Sequence, residues 1–72
     1  MSSSDNRTVK VIEVIGESDE SWQDAAENAV ADASETLEGV SGIEVKDHTA
    51  EVEDGQITQY RTVVHVAFPI QR

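Results

Sequence analysis

Near the end of the chain, the stretch EVEDGQIT places Asp54-Gly55 between two alternating runs. Asp-Gly supplies the positive φ angles of a two-residue hairpin turn, and no other short-range signal specifies a hairpin so directly. A two-residue turn makes partner positions sum to 109. Val45 then faces Val64 and Ile43 faces Val66, with Tyr60 and Phe68 on the same side. The opposite side pairs Gly42 with Ala67, Glu44 with His65, Lys46 with Val63, and His48 with Arg61. The phase is less clean near the turn, where Ala50 and Val52 depart from it, so a bulge or bend is expected there.

Upstream, TVKVIEVIG (8–16) is β-branched and almost continuously apolar, which predicts a strand ended by Gly16. Ser18, Asp19 and Ser21 are candidate helix caps. Trp22, Ala25, Ala26, Ala29, Val30, Ala33, Leu37 and Val40 then recur at helical spacing, a stripe about five turns long. Four of these are alanines, which let a helix lie close on a sheet. Trp22, first in the stripe, reads as core, and Gly39 or its neighbourhood reads as the stop.

These elements predict an α+β fold of order β-α-β-β, with one helix on one face of a three-stranded antiparallel sheet. The chain has 72 residues, and a core this small is marginal without help. It contains no cysteine, so no disulfide supplies that help. Two strands of roughly 12 residues with an uncovered face are a liability in a monomer. A closed homo-oligomer is the expected remedy.

Asp and Glu number 15 against 5 Lys and Arg, a formal net charge of -10. Such a surface repels phosphate backbones and anionic lipid, so neither nucleic acid nor membrane is an expected partner. The excess is what a salt-rich cytoplasm favours, which points to a halophilic source. Residues 1–7 are polar and read as a disordered tail before a single domain over 8–72. With no apolar targeting segment evident, a cytoplasmic protein is expected. No catalytic constellation emerges: His65 opposite Glu44 reads as a surface or interface hydrogen bond rather than an acid–base pair, so no enzyme is expected.

Residues 10–68 resemble the dodecins. The shared order is a strand ending in Ile15-Gly16, then S-x-x-S-W at Ser18 to Trp22, and an alanine-rich helix. A G-x-E-V strand start at Gly42, the Asp54-Gly55 hairpin and the closing V-x-V-x-F of Val64 to Phe68 complete it. The resemblance implies a hollow homododecamer built from trimers, with no reaction and with flavin (riboflavin or FMN) as family ligand. It also implies a ligand site at Gly42, Arg61, Glu44 and His65. Position 42 is usually a tryptophan that stacks on the flavin, and Arg61 stands where a glutamine bonds its pyrimidine edge. Gly42 forfeits the stacking partner, and Arg61 can only donate. Weak or absent riboflavin binding is expected, with Arg61 favouring phosphorylated ligands. Arginine after the tyrosine and Trp22 after Ser21 are also similar to the calcium dodecins. Carboxylates that hold cations in dodecin channels match Asp47, Glu51 and Glu20, so calcium or magnesium is the alternative ligand.

Overall fold

The computed structural model describes residues 8–70, and the expected tail at 1–7 lies outside them. The elements are β1 (Val9–Ser18), α1 (Trp22–Thr36), β2 (Gly42–Glu53) and β3 (Gln56–Pro69). They form one antiparallel sheet of order β1-β3-β2, so the last strand lies in the middle. The β-α-β-β expectation holds. Asp54 and Gly55 have φ of 54° and 78°, the pair of positive angles that a two-residue turn between Glu53 and Gln56 requires.

The helix starts where its cap directs it. Ser21 is extended, and its hydroxyl accepts from the Asp24 backbone N–H at 3.0 Å. Ser18 braces the same turn by donating to Asp24 Oδ2 at 2.7 Å and accepting from the Glu20 N–H at 2.9 Å. The helix ends at Thr36, sooner than the apolar stripe suggests. Leu37 is already extended, and its N–H closes the last turn on Ala33 O. Leu37 and Val40 still pack on the core from the connection, which is why they kept the helical spacing. Gly39, at φ 75°, therefore bends the connection rather than stopping the helix.

Ala25, Ala29 and Ala33 form the buried helix face, and Val64 and Val66 of β3 lie beneath them. The small side chains bring the helix backbone almost onto β1 at Gly16. A Cβ there would stand 1.9 Å from Ala25 O. Gly16 thus does not end its strand, which continues to Ser18; it is the point of closest approach between layers. Thr62, fully buried beside Val64, donates its hydroxyl to Trp22 O at 2.8 Å.

Two features differ from the sequence reading. The expected register holds from Gly42 to Val45 and then slips at Lys46. Asp47 pairs with Val63, His48 with Thr62 and Thr49 with Arg61, instead of Lys46 with Val63 and His48 with Arg61. The extra residue turns His48 to the helix side and brings Ala50 opposite Tyr60, which resolves the phase break that Ala50 announced. A second shift between Glu51 and Val52 precedes the turn. The other difference is lateral. The helix packs over β1 and β3, so Ile43 and Val45, expected beneath it, remain 40% and 44% exposed. A groove of about 310 Å³ opens there between Ile43 and the Gln23–Ala31 face of α1.

The subunit is long and thin, 60 × 20 × 14 Å, with a radius of gyration of 15.1 Å. A compact domain of this length has a value of about 11 Å. No helix among the described residues is long and apolar enough to cross a membrane.

Candidate functional site

β3 divides the molecule. Thr62, Val64 and Val66 are buried under the helix, so the alternate residues Arg61, Val63, His65 and Ala67 look out from the other face. The register carries this face across the sheet in rows: Val11–Ala67–Gly42, Glu13–His65–Glu44, Ile15–Val63–Asp47 and Glu17–Arg61–Thr49. The first row is apolar, the second carries two carboxylates, and Ile15 with Val63 returns an apolar stretch before the Glu17–Arg61 pair. Val11 and Ile15 are 54% and 58% exposed, so much apolar surface lies open.

A shallow depression of about 240 Å³ sits at one end, lined by Val11, Gly42, Ile43, Glu44, His65 and Ala67. A Cβ placed on Gly42 would meet nothing within 4 Å. Gly42, Glu44 and His65, singled out from the sequence, thus do come together. Arg61 does not join them. It lies six positions from Ala67 along β3, about 20 Å at the usual strand rise. Both positions share the face, but the expectation that Arg61 flanks the Gly42 depression is not met within one subunit. Tyr60 and Phe68 have the parity of the buried residues, and Trp22 sits on the helix side with its ring edge-on to Tyr60 (4.8 Å) and His48 (5.8 Å). The outer rows of the described sheet therefore contain no Trp, Tyr or Phe. Within the subunit, a planar ring therefore finds no aromatic stacking wall on this face.

Arg61 is engaged elsewhere. Its Nε donates to Glu17 Oε2 at 2.7 Å, and its Nη2 donates to Glu51. Its hydrogen bonds to Glu17, then to Glu51, raise the guanidinium pKa further above its already high ordinary value. Gln59 adds a 3.5 Å contact to Glu17 Oε1. The three charged side chains come from three strands and tie β1, β3 and β2 together.

The proposed cation ligands are dispersed within one subunit. Glu51 is held by Arg61, and Asp47 Oδ1 accepts from the His48 N–H at 3.0 Å. Among the described residues, no group of three or more His, Asp or Glu side chains could hold a metal ion. Trp22 is half-buried, its Nε1 donating to Thr49 O at 2.8 Å, so it joins the helix to β2 more than it fills a core. Glu17 was not singled out in the sequence. Finding it requires knowing that β1 pairs with β3, which places position 17 opposite 61.

The dodecin family profile matches residues 8–71. Among solved structures, the chain is similar to dodecin from Streptomyces coelicolor, with 33% identity, a TM-score of 0.90, and 93% of this chain and 96% of that one covered. Dodecin from Streptomyces davaonensis gives 30%, 0.88, 93% and 98%. The calcium-chelating calcium dodecin of Mycobacterium tuberculosis gives 32%, 0.79, 89% and 91%. A comparison with curated proteins found no match.

Proposed function

The chain belongs to the dodecin family, and from that premise we propose that it is the subunit of a homododecameric shell holding a small ligand on the outer face of its sheet. Dodecins are non-enzymatic binding proteins, and the family forms homododecamers and binds flavins or calcium. The observation that carries the reading is the open depression at Gly42, on the face that the subunit leaves uncovered. Glu44 and His65 form its polar rim, and Arg61 reaches the same ligand only from a neighbouring subunit.

The assembly has a physical motive. Five buried apolar residues cannot stabilise so extended a subunit, whereas packing copies together covers Val9, Val11 and Ile15. Light scattering in molar salt is expected to show a dodecamer, and a stable folded monomer would remove the reading.

The ligand differs from the usual one in how it is held. Without an aromatic wall, riboflavin gains little at Gly42, and weak or absent binding is expected of the natural protein. Gly42 has an ordinary backbone and free space, so a tryptophan can be introduced without strain. Gly42→Trp with Arg61→Gln is expected to create riboflavin binding, seen as fluorescence quenching. Tight quenching by the unaltered protein would sink this account, as would a correctly assembled double variant that binds none.

A second reading, a shell that holds calcium or magnesium, draws on the likeness to a calcium dodecin. It requires Asp47, Glu51 and Glu20 from different subunits to converge around a symmetry axis. Calorimetry with each cation on the assembled protein tests it. Saturable heat lost on Asp47→Asn supports the site, and its absence removes it.

A further inference from the structure

An anion approaching the outer face needs a donor, and the described chain offers few. Its permanent cations are Lys10, Lys46 and Arg61. Lys10 pairs with Phe68 in the helix-side parity, and Lys46, at the bulge, reaches the outer-row Glu44 at 3.7 Å. Among the described residues the outer rows thus hold two permanent cations, Lys46 as a single ammonium on Glu44 and Arg61 as a fork of donors among Glu13, Glu17, Asp47 and Glu51. Its guanidinium is shared by Glu17 and Glu51, so the cluster as a whole is an anion with a net charge of -1.

We infer that Glu17 and Glu51 set the charge selectivity of the ligand face: by holding Arg61 between them, they exclude phosphorylated ligands and leave the face to neutral or cationic ones. The inference rests on the outer face being the ligand face, and it reverses the expectation that Arg61 attracts phosphate. A phosphate would have to displace one carboxylate from the guanidinium while remaining close to both. Replacing both carboxylates by amides changes the cluster from -1 to +1 and frees the fork of donors, with little change in size.

The test uses the assembled full chain and two probes that share a ring and differ by one phosphate, riboflavin and riboflavin 5′-phosphate. Glu17→Gln with Glu51→Gln is expected to raise affinity for the phosphate form relative to riboflavin by about tenfold at the lowest ionic strength at which scattering still shows the assembly. Adding Arg61→Gln is expected to abolish the rise. Calorimetry with inorganic pyrophosphate should follow the same pattern without any ring: heat in the double variant, none in the natural protein or the triple variant. An unchanged flavin ratio with no pyrophosphate heat overturns the inference, as does a gain that survives Arg61→Gln. If no flavin binds to any form, the reading of the face as a flavin-like site fails, while pyrophosphate still decides the charge gate. If the double variant does not assemble, the single variants Glu17→Gln and Glu51→Gln are measured identically. Each is expected to show a gain of about threefold, and the absence of any gain in both overturns the gate.

Discussion

Gly16 and Gly42 both sit in strands, and the contrast between their surroundings separates the two faces of the sheet. Around Gly16 the helix backbone is so close that a Cβ would lie 1.9 Å from Ala25 O; around Gly42 nothing stands within 4 Å. One glycine is required by packing inside the subunit. The other stands over open space on the outer side of the sheet. The helix side thus specifies the fold, with Thr62, Val64 and Val66 sealed beneath alanines, while the outer side leaves Val11 and Ile15 open.

The largest expected effect tests that contrast directly. Gly16→Ala forces a methyl into backbone, which cannot swing aside as a flexible side chain can, and should cost about 3 kcal/mol or more. In so marginal a subunit that is expected to abolish cooperative melting and assembly. Gly42→Ala should change stability by less than about 0.5 kcal/mol. Thermal melts of the two variants side by side check the difference, and equal losses would break the comparison.

Next in size are substitutions that distinguish subunit folding from association. Val64→Ala leaves a void under the helix and should cost about 2 kcal/mol however the subunits are arranged. Ile15→Glu adds a charge to an open position of the subunit, yet to a buried one if the outer faces meet in the shell. Helix content by circular dichroism should survive while the scattering mass falls below a dodecamer. A full-sized Ile15→Glu particle would show that this row stays open in the assembly.

How far such effects could be anticipated differs by element. The hairpin was legible because Asp54-Gly55 satisfies a local backbone demand, and the helix because its alanines recur at its period. The bulge at Lys46 was not. An extra residue costs little in a half-exposed strand, and what selects it is the distant seating of Trp22 on His48 and Thr49. Nor was the lateral position of the helix legible, since alanines on α1 could rest over either neighbour of β3. At the site, Gly42, Glu44 and His65 were placed correctly by counting from the turn, because the shift at Glu51/Val52 and the slip at Lys46 cancel and restore the simple register beyond them. The partners of Arg61 did not: Glu17 is 44 positions away in sequence and Glu51 lies beyond the bulge. Positions outside the two offsetting shifts were readable from the turn, and positions between them, or set by strand order, were not.

Charge acts on the outer side more gently than packing does on the inner one. In a dodecamer, twelve subunits of net charge -10 place about 120 negative charges on one particle. The Debye length grows from about 3 Å in 1 M salt to about 30 Å in 0.01 M, so repulsion across interfaces is felt only in dilute buffer. Loosening or dissociation is expected there, with salt or divalent cations restoring the particle. An assembly indifferent to ionic strength, followed by scattering, would show that apolar contacts outweigh its charge.

The smallest expected effect belongs to the Arg61 cluster as a structural tie. Its side chains are one-third to one-half exposed, so solvent screens both pairs even though they join three strands. Glu17→Gln should lower stability slightly in dilute buffer and by nothing measurable in molar salt. The sign of any pH dependence follows from the raised Arg61 pKa. A cation stabilised in the folded state contributes fully below its unfolded value and loses that contribution only as pH rises through the folded one. For a guanidinium that window lies far above neutrality, so its own titration adds no slope to stability between about pH 6 and 9. Denaturant melts of natural protein and Glu17→Gln at low and high salt check both statements. A difference of several kcal/mol that persists in molar salt would mean the cluster is sealed from solvent in the shell, and the outer face would then carry folding energy of its own.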